Sequence, residues 1–310
     1  MFQSLTHLFS TILTTMKPDV SIIIVNYNSS QLLAEAIESI LEHVSGIDYE
    51  VIVVDNASTD HSKQMLSERF ADKCRLIVLS ENKGFAYANN RGIEVAEGRN
   101  ILFLNPDTKQ IGNAIKQLSD YLDKHPEVGA CGGNLITETG GEQFSYWPIL
   151  PGLRFEIHAL FSNILLKQHH RGSLQYNHTG KEKEVGYIIG ADLMVRRKII
   201  EQTGVFSEDF FLFYEETELC WRIRKRGYKI VSVPAAQMIH LESRTIGSQF
   251  DRLPYLQQSR RIYLSKCVSR AEHRAADCIL YVNSWLRWVY FSMRSDKDKI
   301  RFWRYINRNI

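Results

Sequence analysis

The chain has 310 residues, 44% hydrophobic and 24% charged, with a formal net charge of +3. This balance suits a soluble globular protein with a large core and excludes disordered and collagen-like chains. Charge is unevenly placed: from Asp251 onward roughly thirteen basic and five acidic side chains leave the tail at about +8 and the remainder at about −5.

The N-terminal "MFQSLTHLFSTILTTMK" lacks a basic leader and a small-residue cleavage site, so no secretory signal is expected. No uncharged apolar run is long enough for a transmembrane helix. Val20 to Val25, "VSIIIV", reads as a strand buried on both faces. Ser29 or Ser30 then opens a helix with Leu32, Leu33, Ala36, Ile37, Ile40 and Leu41 on its apolar side. "YEVIVVD" is the next strand and ends on Asp55. A helix over Asp60 to Phe70, a strand "RLIVL", a helix over Phe85 to Glu97 and a strand "NILFLN" ending on Asn105 follow. Strand and helix thus alternate four times in about 85 residues, the pattern of an α/β fold with a doubly wound, mostly parallel sheet. Ligands of such sheets bind where the strands end, so Asp55 and Asn105 to Asp107 are expected at one crevice.

Beyond Gly129, "GACGGNLIT" and "VGYIIGADLMVRR" read as strands of a mixed extension. Between them, "FEIHALFSNILLKQHHRGS" suggests a mobile excursion or short helices. Glu215 to Arg226 reads as a helix stopped by Gly227. "YKIVSVP" and "AQMIHLE" read as two short strands, and the chain is helical, basic and aromatic from Leu253 on. The cysteines Cys74, Cys131, Cys220, Cys267 and Cys278 form no C-x-x-C pair, which points to reduced thiols in the cytoplasm.

Several common motifs are missing. "NYNSSQ" after the first strand lacks the glycines of a dinucleotide fold, and there is no P-loop, G-x-S-x-G or H-E-x-x-H. What remains is carboxylates and amides at strand ends. In "VVDNASTD", Asp55 can accept hydrogen bonds from a base or ribose, while Asp60 reads as turn chemistry or a helix cap. In "ENKGFAYANNRG", Gly84 marks a turn and Asn89 and Asn90 are poor helix formers that suggest a polar task. In "LFLNPDT", Pro106 ends the strand and fixes Asp107 where it can bind Mg²⁺ or Mn²⁺ with phosphate oxygens. His240 ends the strand-like "QMIH".

Seven segments in order, "VSIIIVNYN", "VVDNASTD", "NKGFAYANNRG", "LFLNPD", "GADLMVRR", "FLFYEETELCWRIRKRGYKIVSVP" and "MIHLES", resemble glycosyltransferase family 2, and within it the rhamnosyltransferase-like enzymes of bacterial surface polysaccharide synthesis. The resemblance implies a GT-A fold, an inverting mechanism, a nucleotide-sugar donor and a divalent metal, Mg²⁺ or Mn²⁺. It assigns Tyr27, Asp55, Asn56, Gly84, Asn89, Asn90, Asn105 and Asp107 to the donor, with Asp55 holding the base. Asn105-Pro106-Asp107 takes the place of the family's D-x-D, with Asp107 and His240 as metal ligands and Asn105 replacing an acid. Gly190, Ala191, Asp192 and Glu215 fall on the acceptor side, and Glu216 on the catalytic base. Of its neighbours, Glu218 pairs with Arg222 on the helix surface and Glu215 also favours the helix start.

The implied division is an N-terminal extension over 1–18, a GT-A domain over 19–245 and a helical extension over 246–310. Aromatic and cationic side chains mixed in that extension suit a membrane interface. The expected acceptor is a polyprenyl-diphosphate-linked glycan at the inner face of the cell membrane, where the protein would sit peripherally in O-antigen or capsule synthesis. The donor expected first is dTDP-rhamnose, with UDP-galactose and UDP-N-acetylglucosamine open, as is a catalytically silent nucleotide-sugar-binding protein. No nucleic acid is expected; a homodimer is left open.

Overall fold

The computed structural model describes residues 17–165, 175–241 and 249–310. The N-terminal stretch before residue 17, the basic end of the "FEIHALF" segment and the boundary at 245/246 lie outside the described residues.

Strands β1 (Val20–Asn26), β2 (Tyr49–Asp55), β3 (Cys74–Val78) and β4 (Asn100–Leu104) alternate with helices α1 (Ser30–His43), α2 (Ser62–Arg69) and α3 (Phe85–Val95). The strands pair in parallel in the order β3-β2-β1-β4. Their side chains explain the unbroken apolar runs. Ile22, Ile24, Val51 and Val53 pack into one apolar cluster, and Ile23, Val25, Ile52 and Val54 into another. Successive residues of a strand face opposite sides, so a strand covered on both sides needs apolar residues throughout.

The chain then adds β5 (Thr108–Gln110), α4 (Ala114–Lys124), β6 (Val128–Ile136), β7 (Tyr146–Trp147), α5 (Leu153–Leu165), β8 (Lys183–Glu184), β9 (Tyr187–Ile188), β10 (Asp192–Arg196), α6 (Arg197–Thr203), α7 (Glu215–Lys225) and β11 (Lys229–His240). The sheet continues from β4 through β10, β6 and β11 to β5. β10 runs antiparallel to β4 and β6, which makes the sheet mixed on this side. The "VGYIIGADLMVRR" run is two strands, β9 and β10, interrupted at Gly190 and Ala191. The two strands expected near Pro234 are one, with a register break between Ser232 and Gln237 that takes up the proline's missing N–H. The "FEIHALF" segment opens as α5, which packs against the C-terminal helices.

Three helices complete the chain: α8 (Gln249–Cys267), α9 (Arg270–Met293) and α10 (Lys297–Arg308). Ser269 caps α9 through its hydroxyl, which accepts from Glu272 N, and Asp296 caps α10 by accepting from Lys299 N. Buried Arg260 of α8 donates to Glu156 of α5 at 2.9 Å and to Asp277 of α9 at 2.7 Å. This three-way pair holds the helices together in a low-dielectric setting, where losing one partner leaves a charge uncompensated. No helix among the described residues is long and apolar enough to cross a membrane.

Candidate active site

The polar ends of β1, β2 and β4 form one edge. Asn28, at φ 51°, accepts from Thr59 N and Asp60 N through its side-chain oxygen, locking the loop after β1 to the turn after β2. Asp60 accepts from Ser30 N and Ser62 N, so it caps the starts of two helices, as the cap reading anticipates. Asp55 is fully buried. One of its oxygens accepts from Asn26 Nδ2 at 3.0 Å and the other from Ser58 N at 3.0 Å. Its carboxylate therefore closes the turn, facing inward; the aromatic exposed at this strand end is Tyr27, 43% accessible.

The segment before α3 is tied to the loop over residues 205–214. Asn56 Nδ2 donates to Asn82 Oδ1 and to Gly84 O. Gly84 stands at φ +95°, and a Cβ there would lie 2.4 Å from Phe211 O. Phe85 N donates to that same carbonyl at 2.8 Å. Gly84 is thus required by both backbone conformation and close approach. Gly84→Ala is expected to cost about 1–3 kcal/mol of stability and to loosen the 205–214 loop; thermal unfolding at the wild-type midpoint would show that the loop can retreat freely.

Asn89 donates to Phe85 O, and its own side-chain oxygen has no partner among the described residues. The amide of Asn90 donates to Phe206 O and Glu208 Oε1, and its oxygen accepts from Phe206 N, so it braces α3 against this loop.

A carboxylate and an imidazole meet at the ends of β4, β10 and β11. Asp107 Oδ1 lies 3.4 Å from His240 Nε2, and Asn105 Nδ2 lies 3.5 Å from the same nitrogen. Leu241 N donates to Asp107 O, which fixes the two segments side by side. Asp107 and His240 are nearly buried. Among the described residues no group of three His, Cys, Asp or Glu side chains could hold a metal. A carboxylate and an imidazole form a two-donor set that suits Mn²⁺ better than Mg²⁺, with the remaining positions left to a ligand such as a diphosphate. Asp192 is close enough to feel His240. Burial pushes its carboxyl up to about 7, against the opposing pull of Gly133 N and His240.

Residues 190–192 join this side to α7. Asn105 N donates to Ala191 O at 3.2 Å. A Cβ on Gly190 would sit 4.0 Å from Glu216 Cγ and 3.5 Å from the Phe85 ring. Glu216 is half-buried, and burial pushes its carboxyl up to about 7. Glu215 is buried, and burial together with the neighbouring Glu216 charge holds its carboxyl well above the usual range. Burial thus disfavours the charged form of both acids, and each one's charge disfavours the other's. The Glu218–Arg222 pair forms as expected but is not on the surface. Glu218 is buried, and Arg222 Nε donates to both its oxygens at 2.9 Å, while the rest of the guanidinium donates to the carbonyls of Thr203, Gly204 and Val205.

The loop leading into α7 carries two successive aromatic residues in the left-handed region, Phe213 at φ 69° and Tyr214 at φ 68°. Such backbone persists only where the surroundings hold it. Here α8 does so. Ser259 Oγ donates to Leu212 O at 2.7 Å, Tyr255 stacks on Phe211 at 5.2 Å, and Tyr263 packs on Tyr214 at 5.5 Å. Lys266 pairs with Asp209 at 2.5 Å. None of these α8 residues stands out in the sequence; the only cue is the tyrosine and serine spacing on one face of a basic helix.

Among the described residues, buried side-chain oxygens of Asn56, Asn89, Asp192 and Glu215 have no hydrogen-bond partner, and neither have buried polar atoms elsewhere in the molecule such as Gln110 Oε1 and Tyr263 Oη.

Comparison with known proteins gives the family of the chain. A low-salt glycan biosynthesis hexosyltransferase of Haloferax volcanii is 28% identical over 236 residues, 73% of this chain and 68% of that protein. An N-acetylglucosaminyl-diphospho-decaprenol L-rhamnosyltransferase of Mycobacterium tuberculosis is 29% identical over 210 residues, 64% of this chain and 68% of that protein. Among solved structures, the mannosyltransferase PcManGT of Pyrobaculum calidifontis, in complex with GDP-Man and Mn²⁺, superposes with a TM-score of 0.56 at 18% identity, covering 87% of this chain and 72% of that one. That likeness establishes the GT-A fold. The profile of glycosyl transferase family 2 matches residues 21–204, more than half of the sequence, and the chain belongs to this family of glycosyltransferases.

Proposed function

We propose that the protein is an inverting glycosyltransferase that moves rhamnose from dTDP-rhamnose to a hydroxyl of a polyprenyl-diphosphate-linked glycan, in the synthesis of a cell-surface polysaccharide. The observation that carries this reading is the bridge at residues 190–192. It sets a carboxyl that ionises near neutrality on one side and the Asp107–His240 pair on the other. Glu216 takes the proton of the acceptor hydroxyl, whose oxygen bonds to the anomeric carbon as the bond to the diphosphate breaks. The electron pair leaves on the diphosphate, and the configuration inverts. Asp107 and His240 would hold a divalent metal, which when bound offsets the charge developing on the leaving group. Asn105 in place of a second acid keeps this site less negative. Phe85 and Gly190 line the space beside Glu216 and help exclude water.

The rhamnose and lipid-linked acceptor are supported by the Mycobacterium relative, whose name states both. The extension over 246–310 would keep the enzyme at the inner face of the membrane, where such acceptors are presented. Thermal-shift screening of nucleotide sugars with and without Mn²⁺, followed by transfer to a soluble polyprenyl-diphosphate analogue, tests the reading. Stabilisation and turnover with dTDP-rhamnose are expected. Turnover with UDP-galactose or UDP-N-acetylglucosamine alone reassigns the donor, and binding without turnover of any donor leaves a silent binding protein.

A further inference from the structure

Helix α9 is apolar on its outward side as well as its inward one, where Ala276 and Phe291 are buried. Its buried positions include Asn283 and Ser284, and Asn307 of α10 donates to Ser284 Oγ at 2.9 Å. Its exposed positions include Tyr281, Val282, Trp285, Leu286, Tyr290 and Met293, each at least 40% accessible. A helix normally turns its apolar stripe inward, and a contiguous outward one marks a docking surface. The spacing keeps these side chains along one side over roughly 20 Å.

The charge around the stripe identifies what covers it. Arg270 and Arg274 are exposed at one end and Arg294 at the other, and no exposed position of α9 carries a carboxylate. Exposed Lys297, Lys299, Arg301, Arg304 and Arg308 follow on α10. Arg294 lies over the Tyr290 ring at 5.0 Å and Arg304 over Trp288 at 5.8 Å, so these cations are carried on aromatic faces. An apolar band with arginines at both ends and aromatic residues along it matches a bilayer interface, where rings sit at headgroup level and cationic tips reach lipid phosphates. A second copy fits less well, because antiparallel pairing of two such helices brings Arg274 of one against Arg294 of the other.

We infer that α9 lies flat on an anionic lipid surface, with the stripe from Tyr281 to Met293 sunk into the interface and the flanking arginines on lipid phosphates. This rests on the proposed lipid-linked acceptor for its purpose, though not for its test. Cosedimentation of the full-length protein with vesicles of phosphatidylcholine, with and without phosphatidylglycerol, reads the surface directly. The wild type is expected to bind the anionic vesicles and to be released by high salt. The doubly substituted Trp285→Ser, Leu286→Ser protein, changed only at exposed positions, is expected to lose at least about tenfold of that binding. Arg270→Glu with Arg274→Glu should lose the preference for anionic lipid. Transfer to a soluble acceptor should be unchanged in all of them. Vesicle binding by Trp285→Ser, Leu286→Ser equal to wild type overturns the proposal. So does a wild-type dimer in sedimentation that this variant converts to monomer without any vesicle binding. Failure of transfer in every protein while vesicle binding follows the stripe instead indicts the donor or acceptor assignment and leaves the surface standing.

Discussion

Glu216→Gln is expected to lower transfer by about 10²–10⁴-fold while leaving nucleotide binding near the wild-type level. The amide has the same shape as the acid but cannot accept the acceptor proton. The pH dependence gives a second signature. A base works only when ionised, and burial raises the Glu216 carboxyl to about 7. The rate should therefore rise with pH through about 7, level off above it, and fall tenfold per unit well below it. Glu215→Gln makes the matching control. Burial and the Glu216 charge favour the neutral form of Glu215, the form an amide resembles. The variant's pH profile should keep the acidic limb. Loss of the acidic limb in Glu215→Gln but not in Glu216→Gln would assign the base to the wrong glutamate. Because the two acids interact, the observed midpoint belongs to the pair.

Asp107→Ala is expected to abolish the metal-dependent part of nucleotide binding. Even groups one shell removed from a metal cost about 10–100-fold when lost, and Asp107 is the one carboxylate of the proposed pair, so a loss of at least about 100-fold is expected. Titration calorimetry of the nucleoside diphosphate with Mn²⁺ and with chelator measures it. The two conditions should differ strongly in the wild type and converge in the variant. Undiminished Mn²⁺-dependent affinity in Asp107→Ala would refute its role as a ligand. His240→Gln should give a smaller loss in the same experiment. Its imidazole is the softer donor of the pair, and a shift of preference from Mn²⁺ toward Mg²⁺ is expected without it.

The parallel half of the sheet was legible because β1, β2 and β4, largely covered on both faces, are apolar almost throughout and α1 carries a clear period, whereas β3 is half exposed and α2 shows little period. The strand and helix over 108–124 went unread: three residues of strand are too few to show alternation, although α4 does carry Ile115, Leu118 and Leu122 at helical spacing. The site residues were legible as residues but not always as roles. Asp55 and Asn90 have the right types at the right positions, yet both spend their polar atoms on the chain itself. A sequence shows that an asparagine disfavours helix, but not whether its partner is a ligand or a backbone carbonyl more than a hundred residues away. Glu218 likewise forms the expected pair but is buried, because Arg222 is wanted by three carbonyls that the sequence could not place there.

The hold of α8 on the loop before α7 changes what counts as the smallest working enzyme. The family profile stops at residue 204, ahead of both the glutamate and the helix that steadies its loop. The proposed base and the loop that carries it are therefore inseparable from the C-terminal helices, while His240 faces Asp107 across the same boundary. Chimeras between relatives should take the 205–214 loop, α7 and α8 from one parent, together with the partners they touch. A junction after β11 would pair one protein's base with another's brace, and such a hybrid should fold its sheet yet turn over slowly.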